Sequence, residues 1–183
     1  MQTRMTTDSI QETSYEKKSD ACYRAIRSMV VDFRLQPGAF IDKTELCRIL
    51  NVSRQPVTTA LSRLEREGLV EILPQRGSYV ARLSLGTLIE SLTIRAALED
   101  YAARRLAETA TGDAFEALDA LIGAQEAALA ADRGNQFLEK DVALHHAIAA
   151  TTRFPKLVEQ VDIGHANGRR ALRALPPAEW QPA

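Results

Sequence analysis

The segment Ser53-Arg54-Gln55-Pro56-Val57-Thr58-Thr59 places hydrogen-bonding side chains at the start of a helical pattern. Arginine can pair with two acceptors on guanine, and glutamine with the donor and acceptor on adenine, so these types near a helix N-terminus can read base edges in a major groove. Val57, Ala60, Leu61 and Leu64 recur at helical spacing and predict a buried stripe. Arg54, Gln55, Thr58, Thr59, Ser62, Arg63 and Arg66 fall on the other face. That set mixes donors and acceptors, unlike the Glu/Lys pairs of a merely solvated helix. Pro56 falls in the first turn, where a missing amide costs nothing, and the remaining free amides suit a phosphate ahead of Ser53.

Such a face needs a scaffold, and the flanking residues spell one. Cys22, Ile26, Met29, Val30 and Phe33 form an amphipathic stripe that predicts a helix from Tyr15 to Phe33, ended by Pro37-Gly38. A short second helix starts at Asp42 as N-cap, with Glu45 completing a capping-box pair, and stops at Asn51, a residue that tolerates the left-handed cap. The third helix runs from Ser53 to Glu67, with Gly68 as its stop. Helix, three-residue turn, helix is the spacing of a helix-turn-helix. Leu69–Leu73 and Ser78–Arg82 then flank the turn Pro74-Gln75-Arg76-Gly77 and predict a hairpin, the wing. Arg76 at its tip can enter a narrow minor groove, or it is an ordinary solvated turn residue. The candidate DNA contacts are therefore Thr44, Ser53, Arg54, Gln55, Pro56, Thr58, Arg63, Arg76 and Gly77.

From Ser84 onward strand signals vanish, and helices are predicted over about 85–109, 113–131, 136–150 and 155–175, rich in alanine. The expected fold is mainly α: a winged helix-turn-helix over residues 15–83 after a disordered tail at 1–14, then an antiparallel all-α bundle over 84–183. Charge divides the same way. Residues 1–83 carry 13 Lys+Arg against 10 Asp+Glu, and residues 84–183 carry 10 against 14, which puts polyanion binding in the first half. With 45% hydrophobic and 26% charged residues the 183-residue chain is of ordinary globular composition. Cys22 and Cys47 are the only cysteines and lack metal or disulfide spacing. The polar first fourteen residues contain no signal-peptide or membrane-spanning run, so a cytoplasmic protein without a membrane partner is expected.

Pro37-Gly38, Ser53-Arg54-Gln55-Pro56-Val57, Ala60-Leu61, Leu64-Glu65, Glu67-Gly68-Leu69-Val70 and Arg76-Gly77 together resemble the GntR family of bacterial regulators over about residues 15–83. In that family the recognition helix normally continues with a DNA-contacting arginine and an acidic residue. Thr58 and Thr59 stand there instead, which predicts altered base specificity. The second half resembles the ligand-sensing, FCD-type domain of the FadR-like branch, through Arg95 and Glu99 and through Asp141-x-x-x-His145. The resemblance implies a divalent metal such as zinc at Asp141 and His145, and a small carboxylate effector received by Arg95. Residues i and i+4 share a helix face, which allows the metal pair; the alternative is a helix-surface pair, and Arg95 can equally pair with Glu99.

The family completes its metal site with two further histidines on helices lying beyond Ala183. His165 follows His145 too soon to match either, and His146 points to a neighbouring face. The resemblance thus implies a sensor domain lacking its last helices, with an exposed apolar face. The expected function is a homodimeric, DNA-binding transcriptional repressor or activator modulated by a small organic acid. A metal-dependent enzyme built around Asp141, His145, His146 and His165, and a regulator unable to sense ligand, are the alternatives.

Overall fold

The computed structural model describes residues 7–109 and 112–174, with side chains described from Tyr15 onward. The chain divides after Leu83 into two compact units.

The first unit contains helices α1 (Thr7–Val31), α2 (Lys43–Leu50) and α3 (Arg54–Arg66), followed by strands β1 (Val70–Leu73) and β2 (Gly77–Val80). Helix α1 begins at Thr7, eight residues before the expected start, so the disordered tail expected over 1–14 is corrected for residues 7–14; residues 1–6 lie outside the described residues. The helix also stops earlier than its apolar stripe. Phe33 turns left-handed at φ 56°, and the Leu35 amide donates to the Met29 carbonyl at 2.9 Å. Cys22, Ile26, Val30 and Val31 are buried, and they pack α1 against α3, whose Val57, Ala60, Leu61 and Leu64 are at most 1% exposed.

Caps set the ends of the short helices. Asp42 accepts from the Thr44 and Glu45 amides at 2.7 and 3.3 Å. The expected reciprocal half of the capping box does not form, because Arg48 one turn later draws the Glu45 carboxylate into an ion pair at 2.6 Å. Asn51 closes α2 in the left-handed conformation, φ 51° and ψ 51°, as its side-chain type allows. Ser53 occupies the N-cap position of α3, but its side chain makes no cap hydrogen bond. At the other end Gly68, φ 70°, reverses the chain, and the buried Leu69 leads into β1.

The wing is an antiparallel pair in which Val70 faces Val80 and Leu73 faces Gly77. Residues 38–41 run beside β2: the Gly38 amide donates to Val80 O, the Ile41 amide to Ser78 O, and the Val80 amide to Ala39 O, all at 2.8–2.9 Å. A ledge from the α1–α2 connection therefore supports the wing from outside the hairpin.

One buried carboxylate ties α3 to α1. The Glu67 side chain is 4% exposed and accepts from Arg27 Nε at 3.1 Å, with Arg63 Nε 3.8 Å away. The Arg63 guanidinium lies 3.7 Å over the Tyr23 ring and donates to Asp20 at 3.3 Å. Burial, reinforced by the adjacent Glu67 carboxylate, pushes the Tyr23 phenol up to about 12, so it stays a neutral donor.

The second unit is a helical bundle of α4 (Leu85–Thr109), α5 (Gly112–Ala130), α6 (Gly134–Ala150) and α7 (Pro155–Ala174). Helix α6 touches all three others, and short turns fold α5 onto α6 and α6 onto α7. Its core is small, built on Ala102, Ala149, Leu157 and Val161 with Leu98, Ile148 and Val158 around it. Small residues let the helices approach closely, at the expense of buried apolar area. Several large apolar side chains of the unit stand exposed, among them Leu85, Ile89, Phe115, Ile122, Leu129 and Phe154. The Pro-rich stretch after residue 174 lies outside the described residues.

Replacing Glu67 by glutamine is expected to cost about 2–4 kcal/mol of unfolding free energy, because Arg27 and Arg63 lose the charge that compensates their partial burial. Urea denaturation of the two proteins measures this. A loss below about 0.5 kcal/mol would mean that the two arginines are served equally well by water.

Candidate functional site

The recognition face is narrower than its sequence pattern. Arg54, Gln55, Thr58 and Thr59 are exposed on the first two turns of α3, and Thr44 on α2 stands next to them, its hydroxyl 3.3 Å from Arg54 Nη2. The Thr58 hydroxyl donates to the Arg54 carbonyl at 3.0 Å, which fixes its rotamer. Tyr15 reaches across from α1, with its hydroxyl 2.7 Å from Thr59 Oγ1. That bond, with smaller effects from the neighbouring Ser19 and Gln55, draws the phenol below its usual value. Sequence reasoning missed Tyr15, since nothing in a helical stripe tells which residue beyond the buried positions will meet a partner helix.

Two residues expected on this face do not lie on it. Pro56 is buried with Val57 beneath the helix, so it shapes the first turn instead of offering a surface. Arg63 turns back onto Tyr23, Asp20 and Glu67. A guanidinium in contact with the aromatic and carboxylate groups of α1 gains more there than in water, which moves it from the exposed set to the scaffold. Ser53, lacking a cap bond, leaves its hydroxyl and the first amides of α3 facing outward together.

At the wing tip Arg76 is exposed, and its amide donates to the Leu73 carbonyl at 3.1 Å. Pro74 and the positive-φ Gln75, φ 61°, form the centre of that turn, the pattern of a type II turn with glutamine where glycine is usual. Gly77 has φ 106°, and a Cβ there would meet the Phe40 ring at 2.6 Å. Glycine is thus required twice over, by backbone and by contact.

The second unit gathers a different chemistry. Glu99 on α4, Asp141 and His145 on α6 and His165 on α7 converge. Glu99 Oε1 lies 2.9 Å from both His145 Nδ1 and His165 Nε2. One donor atom from each of Glu99, His145 and His165 lies within 4.8 Å of the others. Asp141 borders the group, 3.7 Å from His145 Nε2 and 4.0 Å from His165 Nδ1, and accepts from Gln125 at 3.2 Å.

His165 follows His145 too soon to match the family's further histidines, and only the enzyme alternative groups the two. The tight turn between α6 and α7 lays α7 back along α6, and the two rings sit 4.8 Å apart. Burial, aided by the Arg95 charge and opposed by Glu99, depresses the His165 imidazole below its usual value and favours the neutral ring. His146 turns aside, as expected, and meets Asp162 at 3.0 Å.

Arg95 pairs with Glu99, Nε to Oε2 3.4 Å, so the i+4 alternative holds in this state. Its aliphatic stem lies on Gly164, where a Cβ would come within 2.8 Å of Arg95 Cβ. A glycine next to the buried histidine is what lets α4 bring Arg95 to the cluster. Gly164-His165 inside a helix was the available sequence signal for this side of the site.

Comparison with known proteins follows the same division. Residues 18–80 match the bacterial regulatory proteins of the gntR family, and residues 90–182 match the FCD domain. The HTH-type transcriptional repressor RspR of Escherichia coli is 34% identical over 126 residues, covering 69% of this chain and 55% of RspR. A HTH-type transcriptional regulator from the ttuE-ttuC' intergenic region of Agrobacterium vitis is 35% identical over 133 residues, 71% of this chain and 78% of that protein. The chain thus spans about half the length of RspR. Among solved structures, McbR/YncC of E. coli superposes with a TM-score of 0.75 at 23% identity, over 88% of this chain and 78% of that one. A GntR regulator from Rhodococcus sp. RHA1 gives 0.68 at 20% identity, over 88% and 77%. At such identities the likeness is one of fold. The family matches and the A. vitis relative go further, and by them the chain belongs to the GntR family of bacterial regulators and carries an FCD domain.

Proposed function

We propose that the protein is a sequence-specific, DNA-binding transcriptional repressor that acts as a homodimer in the cytoplasm. The observation that carries this is the exposed first half of α3, where Arg54, Gln55, Thr58 and Thr59 stand beside Thr44 and ahead of an uncapped helix start at Ser53. The free amides and the helix dipole favour a backbone phosphate at Ser53, while Arg54 and Gln55 approach base edges. Arg76 and Gly77 at the wing tip supply a minor-groove contact. Two chains reading half-sites about one helical turn apart double the contact area. Repression is the sign attached to RspR by its name. No helix among the described residues is long and apolar enough to cross a membrane.

The FCD unit senses a small carboxylate. Arg95, held between Glu99 and Gly164, exchanges its i+4 partner for the ligand's carboxylate, and the ligand must bind two states of the dimer with different affinity to change DNA binding. The residues also fit a divalent metal. Two imidazole nitrogens and carboxylate oxygens, drawn from three helices, are the donor set that zinc and its neighbours prefer. His145 and His165 would hold it with Glu99, and Asp141 stands next in line. A bound cation would supply a second positive centre for the effector. The family favours this sensor over the metal-dependent enzyme as the reading of the cluster.

Titration into duplexes from the region upstream of the protein's own gene and into a scrambled duplex, at two salt concentrations, tests the central reading. A preference for one upstream segment that persists as salt rises is expected; equal, purely salt-driven binding would overturn sequence-specific recognition. Selection from a randomised library by the wild type and by Thr58→Arg isolates the altered position. The variant is expected to acquire a guanine preference worth about 1–3 kcal/mol at one position per half-site. Identical selected sequences would show that residue 58 does not face a base.

Calorimetric titration with zinc alone is expected to give one site per chain, abolished in His145→Ala and in His165→Ala. Wild-type binding in both variants would remove the metal from this cluster.

A further inference from the structure

The exposed Phe40 and the Tyr79 hydroxyl have no part in the buried core, yet both converge on the wing tip. Phe40 is 57% exposed, an unfavourable place for a phenyl ring unless its contacts compensate. Its ring covers the face of Gly77 and meets Tyr79 edge-on, with centroids 5.5 Å apart and planes at 68°. Its backbone pairs with Tyr79 in an antiparallel bridge, within the ledge whose Gly38 and Ile41 amides bond to β2. Tyr79 in turn donates its hydroxyl to the Arg76 carbonyl at 3.1 Å. A continuous path of contacts therefore runs from the α1–α2 connection through two aromatic rings to the backbone of the residue that carries the wing-tip charge.

We infer that Tyr79 is the positioning residue of the wing, acting through its hydroxyl on the Arg76 backbone, with Phe40 as the support that fixes the Tyr79 ring. The turn needs such help. Its centre holds a non-glycine residue at positive φ, Gln75, and its amide-to-carbonyl bond from Arg76 to Leu73 holds only the peptide that precedes Arg76. The hydroxyl holds the carbonyl of the peptide that follows. With both set, the Arg76 side chain leaves the tip from one backbone orientation, and less conformational freedom is lost when it enters a narrow groove. Phenylalanine at residue 79 would keep the ring packing and the strand while releasing the carbonyl, so hydroxyl and ring are separable.

The inference rests on the wing contact proposed for Arg76, and a double-mutant cycle separates the two. A duplex selected by the wild-type chain is prepared with either an A·T tract or G·C pairs at the flank met by the wing. Binding is measured for wild type, Arg76→Ala, Tyr79→Phe and the double variant. Arg76→Ala is expected to weaken binding to the A·T duplex and to erase the preference for it over the G·C duplex. Tyr79→Phe is expected to weaken A·T binding about fivefold, the size of one net hydrogen bond, and to change it less than about twofold once Arg76 is absent. Its unfolding midpoint should fall by no more than the loss of that one exposed hydrogen bond, which leaves the chain folded throughout the titration. Phe40→Leu should behave as Tyr79→Phe does, through the loosened ring. No effect of Arg76→Ala would overturn the wing contact and the inference with it. An effect of Arg76→Ala together with equal losses from Tyr79→Phe in both backgrounds, or with none in either, would overturn the role of Tyr79 alone.

Discussion

The end of α3 is the point on which the DNA-binding unit turns. Within three residues the chain places a buried carboxylate at Glu67, a left-handed reversal at Gly68 and a fully buried Leu69 that begins the wing. Glu67 is costly to bury, and Arg27, Arg63 and the neutral Tyr23 phenol are what make it tolerable. The same contacts fix the rotation of α3 about its own axis, since the carboxylate must face α1. A recognition helix presents different side chains when rotated by a fraction of a turn. The ion network is thus a register device: apolar packing of Val57, Leu61 and Leu64 alone would hold the helix down without specifying its angle so narrowly.

Much of this was legible in the sequence because it is local. Asp42, Asn51 and Gly68 are residue types whose cap or turn roles follow from their own backbone and side-chain preferences, and each occupies the predicted position. The antiparallel wing follows from two β-rich runs around a Pro/Gly turn. What escaped depends on contacts between elements. Glu45 had the right spacing for a capping box, but Arg48 offered a charged partner and won it. Arg63 had the right spacing for the outward face, but Tyr23 and Asp20, about 40 residues away in sequence, drew it inward. A residue long enough to choose between two environments is decided by tertiary structure, and periodicity cannot report the choice.

The histidine cluster shows the same limit in a stronger form. Asp141 and His145 share one helix and are visible as a pair. His165 belongs to the group only because α7 folds back along α6, and Glu99 only because Gly164 lets α4 come close enough. The sequence interval from His145 to His165 sets His165 aside only as a match to the family's further histidines; whether the two rings meet depends on helix register across a tight turn. In this state one oxygen of Glu99 serves both histidines and the other serves Arg95, so the carboxylate is the shared partner of every group that a cation or an anionic effector would engage. Any ligand that takes Arg95 or either histidine must rearrange the remaining bonds, which is the coupling a sensor requires.

The composition of the recognition face sets how the protein can bind. Threonine at 58 and 59 offers single, short-reach hydroxyls, one already bonded to the Arg54 carbonyl and the other to Tyr15. Such groups discriminate bases less than a bidentate arginine does. On the proposed reading, recognition then leans more heavily on Arg54 and Gln55, on phosphate contacts at the uncapped start of α3, and on the wing. Phosphate contacts carry no sequence information, so the burden of discrimination shifts toward groove shape, which an arginine at a rigid tip reads and an arginine on a loose one does not. The attention that the fold gives to holding the wing, through the ledge at residues 38–41 and the aromatic pair upon it, is consistent with that shift.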